Sequence, residues 1–322
     1  MANGFMGDIV YGMNTTLPLF ICCLIGYLMK RYHVVSDAFA ADCANVVFYV
    51  AIPCSIFSSI AKSDFRGLFE WKLVAFLAIS FTVLAATSLF ICRHVIKNYR
   101  RAVTVAHNIF RGNFTLLGIP LSVSLLGKSG AASMVMMIPF GIMLSNLYSV
   151  AMLSSISADG NSRSKVELLG TVWEILKNPM TIASILGIVV AWAELPVPEI
   201  CMNTIDMFSG MSSGLALFML GTQLEVGSLC KDLHVTLVTV LARLLVIPAV
   251  FVSIAVGIGI SGNALAAIFI FFASPTAVSC YVMAEKMGGD SKITGDAVLA
   301  TTCFSSITLL LGIALLRTLQ LI

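Results

Sequence analysis

The sequence predicts an all-α integral membrane protein with ten transmembrane helices. Its 322 residues are 59% hydrophobic and only 11% charged, and their mean hydropathy is +0.99. Soluble domains carry about 25% charged residues, so this composition excludes a soluble globule. The chain is also too apolar to be disordered. A net charge of +3, scattered along the chain, is too weak for a nucleic-acid-binding surface, so we expect no nucleic-acid partner.

Ten apolar segments, separated by short polar turns, are each long enough to cross a bilayer, which takes about 20 residues. We number them spans 1 to 10, and they cover residues 9–29, 38–60, 72–92, 104–126, 131–154, 172–193, 203–222, 235–257, 263–285 and 296–316. The first basic residue, Lys30, follows span 1, so we expect that span 1 is not a cleaved secretory signal. The lipid bilayer is therefore an expected partner.

The ten spans divide into two halves of five. Because five is odd, the second half enters the membrane in the opposite sense, which makes any repeat an inverted one. Pro18 and Gly26 in span 1 are eight residues apart, as are Pro179 and Gly187 in span 6. The predicted organisation is a first five-helix repeat at 1–155, a short cytosolic linker at 156–171 and a second five-helix repeat at 172–322.

Basic residues near the ends of the spans predict the orientation, because they favour the cytoplasmic side. With the N-terminus outside, twelve Lys and Arg residues lie inside and five lie outside. We therefore expect a multi-pass protein of the plasma or inner membrane, with both termini on the non-cytoplasmic side.

Two prolines interrupt spans that correspond in the two halves, Pro120 in span 4 and Pro275 in span 9. Each removes an N–H donor and frees the carbonyl four residues earlier, which in lipid costs several kcal/mol unless it faces protein or water. The alternative for each proline is a packed kink. Paired interruptions in corresponding spans favour a transporter's substrate site near the membrane midplane.

The chemistry of such breaks favours an anion. The N-terminal end of a half-helix carries about half a positive charge and free N–H groups. Asn113 lies seven residues before Pro120, on the same helical face, and its amide can donate to a carboxylate; the alternative is a hydrogen bond between helices. The predicted substrate-binding residues are Asn113, Gly118, Ile119, Pro120, Ser274, Pro275 and Thr276.

Two arginines fall within spans. We expect Arg111 to extend toward the basic loop at 93–101, where its guanidinium is hydrated. Arg243 lies about a third of the way into span 8 and should face protein or water, because a guanidinium among lipid chains is costly. Arg243 is a candidate for an anion-attracting charge that lines a vestibule, a role that the pattern leaves open.

Other motifs indicate neither an enzyme nor a cofactor. The GxGxxG match at 257–262 joins two spans without a preceding soluble strand, so it is interpreted as a turn. The nine cysteines form no CxxC pair, and the four histidines form no catalytic set or metal pattern. We expect no catalytic residue, cofactor or metal ion. Gly210 and Gly214 form a GxxxG motif, which leaves a homodimer open.

Several stretches, in this order and spacing, resemble the auxin efflux carrier family, which comprises plant PIN proteins and bacterial transporters described as malate or malonate permeases. The matching stretches are VVFYVAIP at 46–53, GNFTLLGIPL at 112–121, NP at 178–179, LFMLGTQL at 217–224 and SPTAVSCYVMAEKMGGD at 274–290. The resemblance implies two inverted five-helix repeats, and a scaffold domain and a transport domain that each draw helices from both repeats. It also implies that broken helices 4 and 9 cross around the substrate, with Asn113 on its carboxylate and Pro120 and Pro275 at the crossing.

The chain departs from the plant members because it lacks their long cytosolic loop between spans 5 and 6. This favours a small organic acid over auxin. The leading hypothesis is a secondary transporter that moves a small organic carboxylate, malate- or malonate-like or auxin-like, by alternating access. One alternative is a cation-coupled carrier of the sodium/proton antiporter or bile-acid symporter type, disfavoured because neither break has an Asp or Glu near it at mid-span. The other alternative is an intramembrane receptor or enzyme.

Overall fold

The computed structural model describes residues 18, 21–62, 70–115, 118, 121–122, 132–157, 176–222 and 232–322. Within these ranges the regular structure is helical, apart from one isolated antiparallel bridge between Gly112 and Thr276. From residue 158 onward the predicted linker at 156–171 lies outside the described residues.

Every predicted span contains helix in its described part. In the first half they cover residues 21–31 in span 1, Asp37–Val46 and Ile52–Ala61 in span 2, Trp71–Val95 in span 3, Tyr99–Phe110 in span 4 and Ala132–Ser157 in span 5. In the second half they cover Pro179–Trp192 in span 6, Glu199–Thr222 in span 7, Leu233–Leu241 and Ile247–Gly257 in span 8, Gly262–Ala273 and Ser279–Lys286 in span 9, and Ser291–Thr318 in span 10.

Five helical segments in the described ranges are long and apolar enough to cross a membrane. They belong to spans 2, 3, 5, 8 and 10 and cover Ala38–Ala61, Trp71–Val95, Met136–Ile156, Leu233–Gly257 and Ser291–Thr318. Shorter apolar helices lie in spans 6 and 9. The all-helical architecture is therefore confirmed for the described residues and is consistent with a membrane protein, whereas the count of ten spans and their inversion stay predictions.

Spans 2 and 8 each contain a π-helical turn immediately before an Ile-Pro pair. The turns are Val47–Ala51, followed by Pro53, and Ala242–Val246, followed by Pro248. Proline lacks an N–H and crowds the preceding turn, and the extra residue of a π-helical turn accommodates it without ending the helix. Span 8 thereby stays continuous past Arg243, which lies inside its π-helical turn.

The glycines of the predicted repeat mark two close helix crossings. A methyl group at Gly26 in span 1 would overlap the carbonyl of Phe218 in span 7. A methyl group at Gly187 in span 6 would lie 3.0 Å from Cβ of Ile60 in span 2. Span 1 of the first half thus packs on span 7 of the second, and span 6 of the second half packs on span 2 of the first.

The GxxxG motif plays no part in this packing. Methyl groups added at Gly210 or Gly214 would meet nothing within 4 Å. The motif therefore packs against no helix in the described part of the chain, and the homodimer remains a prediction.

Phenylalanine rings pack behind the region where spans 4 and 9 meet. Phe114 of span 4 stacks on Phe271 of span 9 with ring centroids 4.0 Å apart. Phe81 of span 3 contacts both Phe110 and Phe271 edge to face, at 5.1 and 5.4 Å between centroids. This apolar cluster holds spans 3, 4 and 9 together next to the polar groups described below.

Candidate functional site

Spans 4 and 9 are both interrupted, and the two interruptions are paired. The helix of span 4 ends at Phe110 and the chain continues extended, whereas span 9 is non-helical from Ser274 to Val278. The backbone N–H of Asn113 donates to the Pro275 carbonyl at 2.7 Å. The N–H of Ala277 donates to the Arg111 carbonyl at 3.0 Å. The two extended segments therefore run antiparallel and satisfy each other's backbone groups.

Span 9 ends its first helix where the sequence analysis places a break, because of Pro275. The residue before a proline is driven out of the helical region, and Ser274 is extended at φ −60° and ψ 141°. The Ser274 hydroxyl donates back to the Ile270 carbonyl at 2.7 Å. This bond replaces the backbone bond that the carbonyl loses at the helix end.

The described interruption of span 4 lies at Arg111–Asn113, upstream of the predicted break at Gly118–Pro120. Ile119 and Pro120 lie outside the described residues. Gly118 is buried, and a methyl group there would overlap the end of the Met134 side chain.

Arg243 joins the two helix ends. Its Nε donates to the Ser274 carbonyl at 2.8 Å, and its Nη1 donates to the carbonyls of Ile109 and Phe110 at 3.2 and 3.3 Å. In continuous helices these three carbonyls would accept from backbone N–H groups four residues later. The prediction that Arg243 faces protein or water is confirmed, since its neighbours are protein and it is only 2% exposed.

Gly112 makes room for this guanidinium. A methyl group at Gly112 would overlap the Nη2 atom of Arg243. Thr276, opposite Gly112 in the bridge, donates from its Oγ1 to the Asn108 carbonyl and from its backbone N–H to Thr301 Oγ1, both at 3.0 Å. Ser274 and Thr276 are fully buried, and the Ser274 carbonyl and the Thr276 hydroxyl connect span 9 to Arg243 and to span 4.

A cavity of about 360 Å³ lies beside the paired breaks. Spans 2, 4, 5, 7 and 9 all contribute to its wall, and no acidic residue is present among the described residues that line it. Its polar lining residues are Ser55, Ser59, Arg111, Asn113, Thr115, Ser145, Ser209, Ser212, Ser213 and Ser279. Among the predicted site residues, Asn113 lines this cavity, whereas Ser274, Pro275 and Thr276 lie outside its lining and belong to the paired breaks.

The expectation that Arg111 extends to the basic loop is wrong. Arg111 is only 6% exposed and lines the cavity. Its Nε donates to Ser279 Oγ at 3.2 Å and its Nη1 donates to Ser149 Oγ at 3.0 Å. Because the helix of span 4 ends at Phe110, Arg111 no longer follows a helical face, and hydroxyls of spans 5 and 9 hold its guanidinium.

The sequence analysis did not identify the serines of spans 2 and 7 that line the cavity. Ser55 and Ser59 are four residues apart, as are Ser209 and Ser213, so each pair lies on one helical face. This four-residue spacing of serines within apolar helices is the sequence feature from which the polar wall could have been predicted. Just beyond them, Asp206 of span 7 accepts from Ser58 Oγ and Lys62 Nζ of span 2, both at 2.6 Å. Span 2 and span 7 are thus joined where the serine-lined wall ends.

Comparisons with known proteins agree with a membrane transporter. A family model described as "Membrane transport protein" matches residues 11–313. An uncharacterized transporter of Methanocaldococcus jannaschii is 23% identical over 93% of this chain and 97% of its own length. A second, of Methanothermobacter thermautotrophicus, is 24% identical over 95% and 97%. The uncharacterized transporter YfdV of Escherichia coli is 22% identical over 94% of each chain.

Proposed function

The chain belongs to the membrane transport protein family, which includes the auxin efflux carriers, and from this we propose that it is a secondary transporter of a small organic carboxylate. The observation that carries the proposal is the cavity at the paired breaks, whose described lining residues supply a guanidinium, an amide and hydroxyls and include no Asp or Glu. The family and its relatives are transporters, which fits a protein that is not an enzyme.

The electrostatics of the cavity favour an anion. Arg111 supplies a full positive charge, and the helix Ser279–Lys286 begins at the cavity wall, where its N-terminal end supplies about half a charge more. Asn113 adds amide donors that orient a carboxylate without adding charge. We assign the carboxylate to the space between Arg111, Asn113 and Ser279.

Two observations support the proposed inverted repeat. The interruptions lie in spans 4 and 9, which occupy the same place in each half. Gly26 and Gly187, which have the same place in spans 1 and 6, mark crossings with span 7 and span 2 respectively. A twofold relation that exchanges the halves would exchange these two contacts.

Alternating access then moves spans 4 and 9 relative to spans 2 and 7. The cavity wall is formed by both sets of spans, so such a movement would open or close it. Lys286 at the end of span 9 donates to the Ala41 carbonyl of span 2 at 3.3 Å. We propose that this contact breaks in the alternate state, in which the cavity is accessible from the other side of the membrane.

Transport of a carboxylate is tested directly by uptake into proteoliposomes. We expect time-dependent accumulation of radiolabelled malate or malonate above the level in protein-free liposomes. Uptake of radiolabelled auxin is measured as the third compound. Imposed pH and sodium gradients distinguish a cation-coupled carrier from an uncoupled one, because only coupled uptake would rise with a gradient. Absence of uptake of all three compounds under every gradient would contradict the proposal.

The proposed orientation places both termini outside the cytoplasm, since the basic residues divide twelve to five in that sense. We expect Lys128→Cys to react with a membrane-impermeant maleimide from the outside and Lys165→Cys to react only after permeabilisation. Exposed native cysteines, Cys201 and Cys303, are first replaced by serine. Reaction of position 128 from the cytoplasmic side alone would reverse the topology.

A further inference from the structure

Arg111 is a buried cation that has no acidic partner among the described residues. The ion pairs seen in this part of the chain join Lys62 to Asp206 and Arg101 to Asp232 and Asp290. The two hydrogen-bond acceptors of Arg111, Ser149 and Ser279, are neutral hydroxyls. A buried charge that lacks a counter-charge is costly, so the cavity favours a ligand that supplies one.

Arg243 differs from Arg111 in this respect. It binds carbonyls at the C-terminal ends of two half-helices, where the helix dipole carries partial negative charge. Its positive charge is therefore compensated within the protein. The charge of Arg111 is not, and the positive end of the helix Ser279–Lys286 adds to it.

The cavity therefore holds more than one uncompensated unit of positive charge, about one from Arg111 and about half from the helix end. A monocarboxylate supplies a single negative charge, which leaves the remainder unbalanced. A dicarboxylate supplies two. At about 360 Å³ the cavity lies near the lower end of ligand pockets, which measure about 300–1,000 Å³, so it suits a short compound.

Resting on the proposed carboxylate transport, we propose that Arg111 is a specificity-determining residue that selects short dicarboxylates over monocarboxylates. One carboxylate pairs with the Arg111 guanidinium. The other accepts from the Asn113 amide and lies at the positive N-terminal end of the helix Ser279–Lys286. Planar guanidinium donors match a carboxylate, which favours arginine at this position.

The test compares each diacid with its monoamide, which has nearly the same shape but one charge fewer. Binding of malonate, malonamate, succinate and succinamate to the purified protein is measured by isothermal titration calorimetry. For the wild type we expect at least one diacid to bind about 10- to 100-fold tighter than its monoamide. In Arg111→Gln this preference should fall to less than about threefold through loss of diacid affinity.

Arg93→Gln is the matched control, because it removes the same charge from an exposed side chain that stacks on Tyr99, and it should keep the preference. Arg111→Lys retains the charge and should keep part of the preference for the diacid. This variant therefore separates the effect of losing the charge from any effect of the substitution on folding. Equal binding of both diacids and their monoamides by the wild type would overturn the inference while leaving monocarboxylate transport in place. Failure of the wild type to bind any of the four compounds, together with absence of carboxylate uptake, would overturn both proposals.

Discussion

Replacing Arg243 with leucine is expected to abolish transport and to lower the free energy of unfolding by about 3–5 kcal/mol. The substitution leaves the carbonyls of Ile109, Phe110 and Ser274 buried without their donor. It also removes the charge that compensates two helix ends. Uptake into proteoliposomes and the thermal unfolding midpoint in detergent measure the two effects.

Arg93→Leu is the matched control, because Arg93 is exposed and distant from the breaks in sequence. Gly112→Ala tests the same contact from the other side, since its methyl group would displace the guanidinium. The double variant should be little worse than the more severe single variant, because both changes remove one interaction. Wild-type uptake and an unchanged unfolding midpoint in Arg243→Leu would show that the hydrogen bonds from Arg243 to the two helix ends are dispensable.

Asn113→Ala is expected to weaken carboxylate binding by about 1–3 kcal/mol, the usual scale for a lost hydrogen bond to a charged group. The side chain lines the cavity, whereas the backbone N–H that bonds to Pro275 remains, so the crossing should stay intact. Titration calorimetry with the best-transported carboxylate measures the affinity, and the unfolding midpoint reports on folding.

Asn203→Ala supplies the comparison, since Asn203 is an exposed asparagine of span 7 outside the cavity lining. It should bind the substrate as the wild type does. If Asn113→Ala binds and transports with unchanged affinity, Asn113 has no part in the site. If Asn203→Ala loses affinity equally, the loss in Asn113→Ala is not specific to the cavity.

The site was partly predictable because one of its two breaks has a covalent cause. Pro275 cannot donate an N–H and forces Ser274 out of the helix, so span 9 must end its first helix there. Asn113 was identified from its spacing to Pro120 and from the family resemblance, and it lines the cavity. That it binds substrate remains a prediction.

The role of the arginines could not be predicted in the same way. A guanidinium in an apolar span is costly in lipid, so the sequence alone requires Arg243 to face something polar. Which partners satisfy it depends on carbonyls 133 and 134 positions away in the chain. For Arg111, the sequence indicated a hydrated side chain, because nothing local marks the end of the helix at Phe110.

The sequence by itself determined that the protein is an all-helical membrane protein, where its described apolar spans lie, and that span 9 is broken. These features follow from local chemistry, because lipid demands about 20 apolar residues in each crossing and proline cannot complete a helix. Only the tertiary structure decided that span 4 ends at Phe110 and that Arg111 turns into the cavity. Arg243 donates to the carbonyls of Ile109 and Phe110, beside Gly112, in place of the backbone N–H groups that a continuous helix would supply. A contact between residues so distant in the chain has no counterpart in any local pattern.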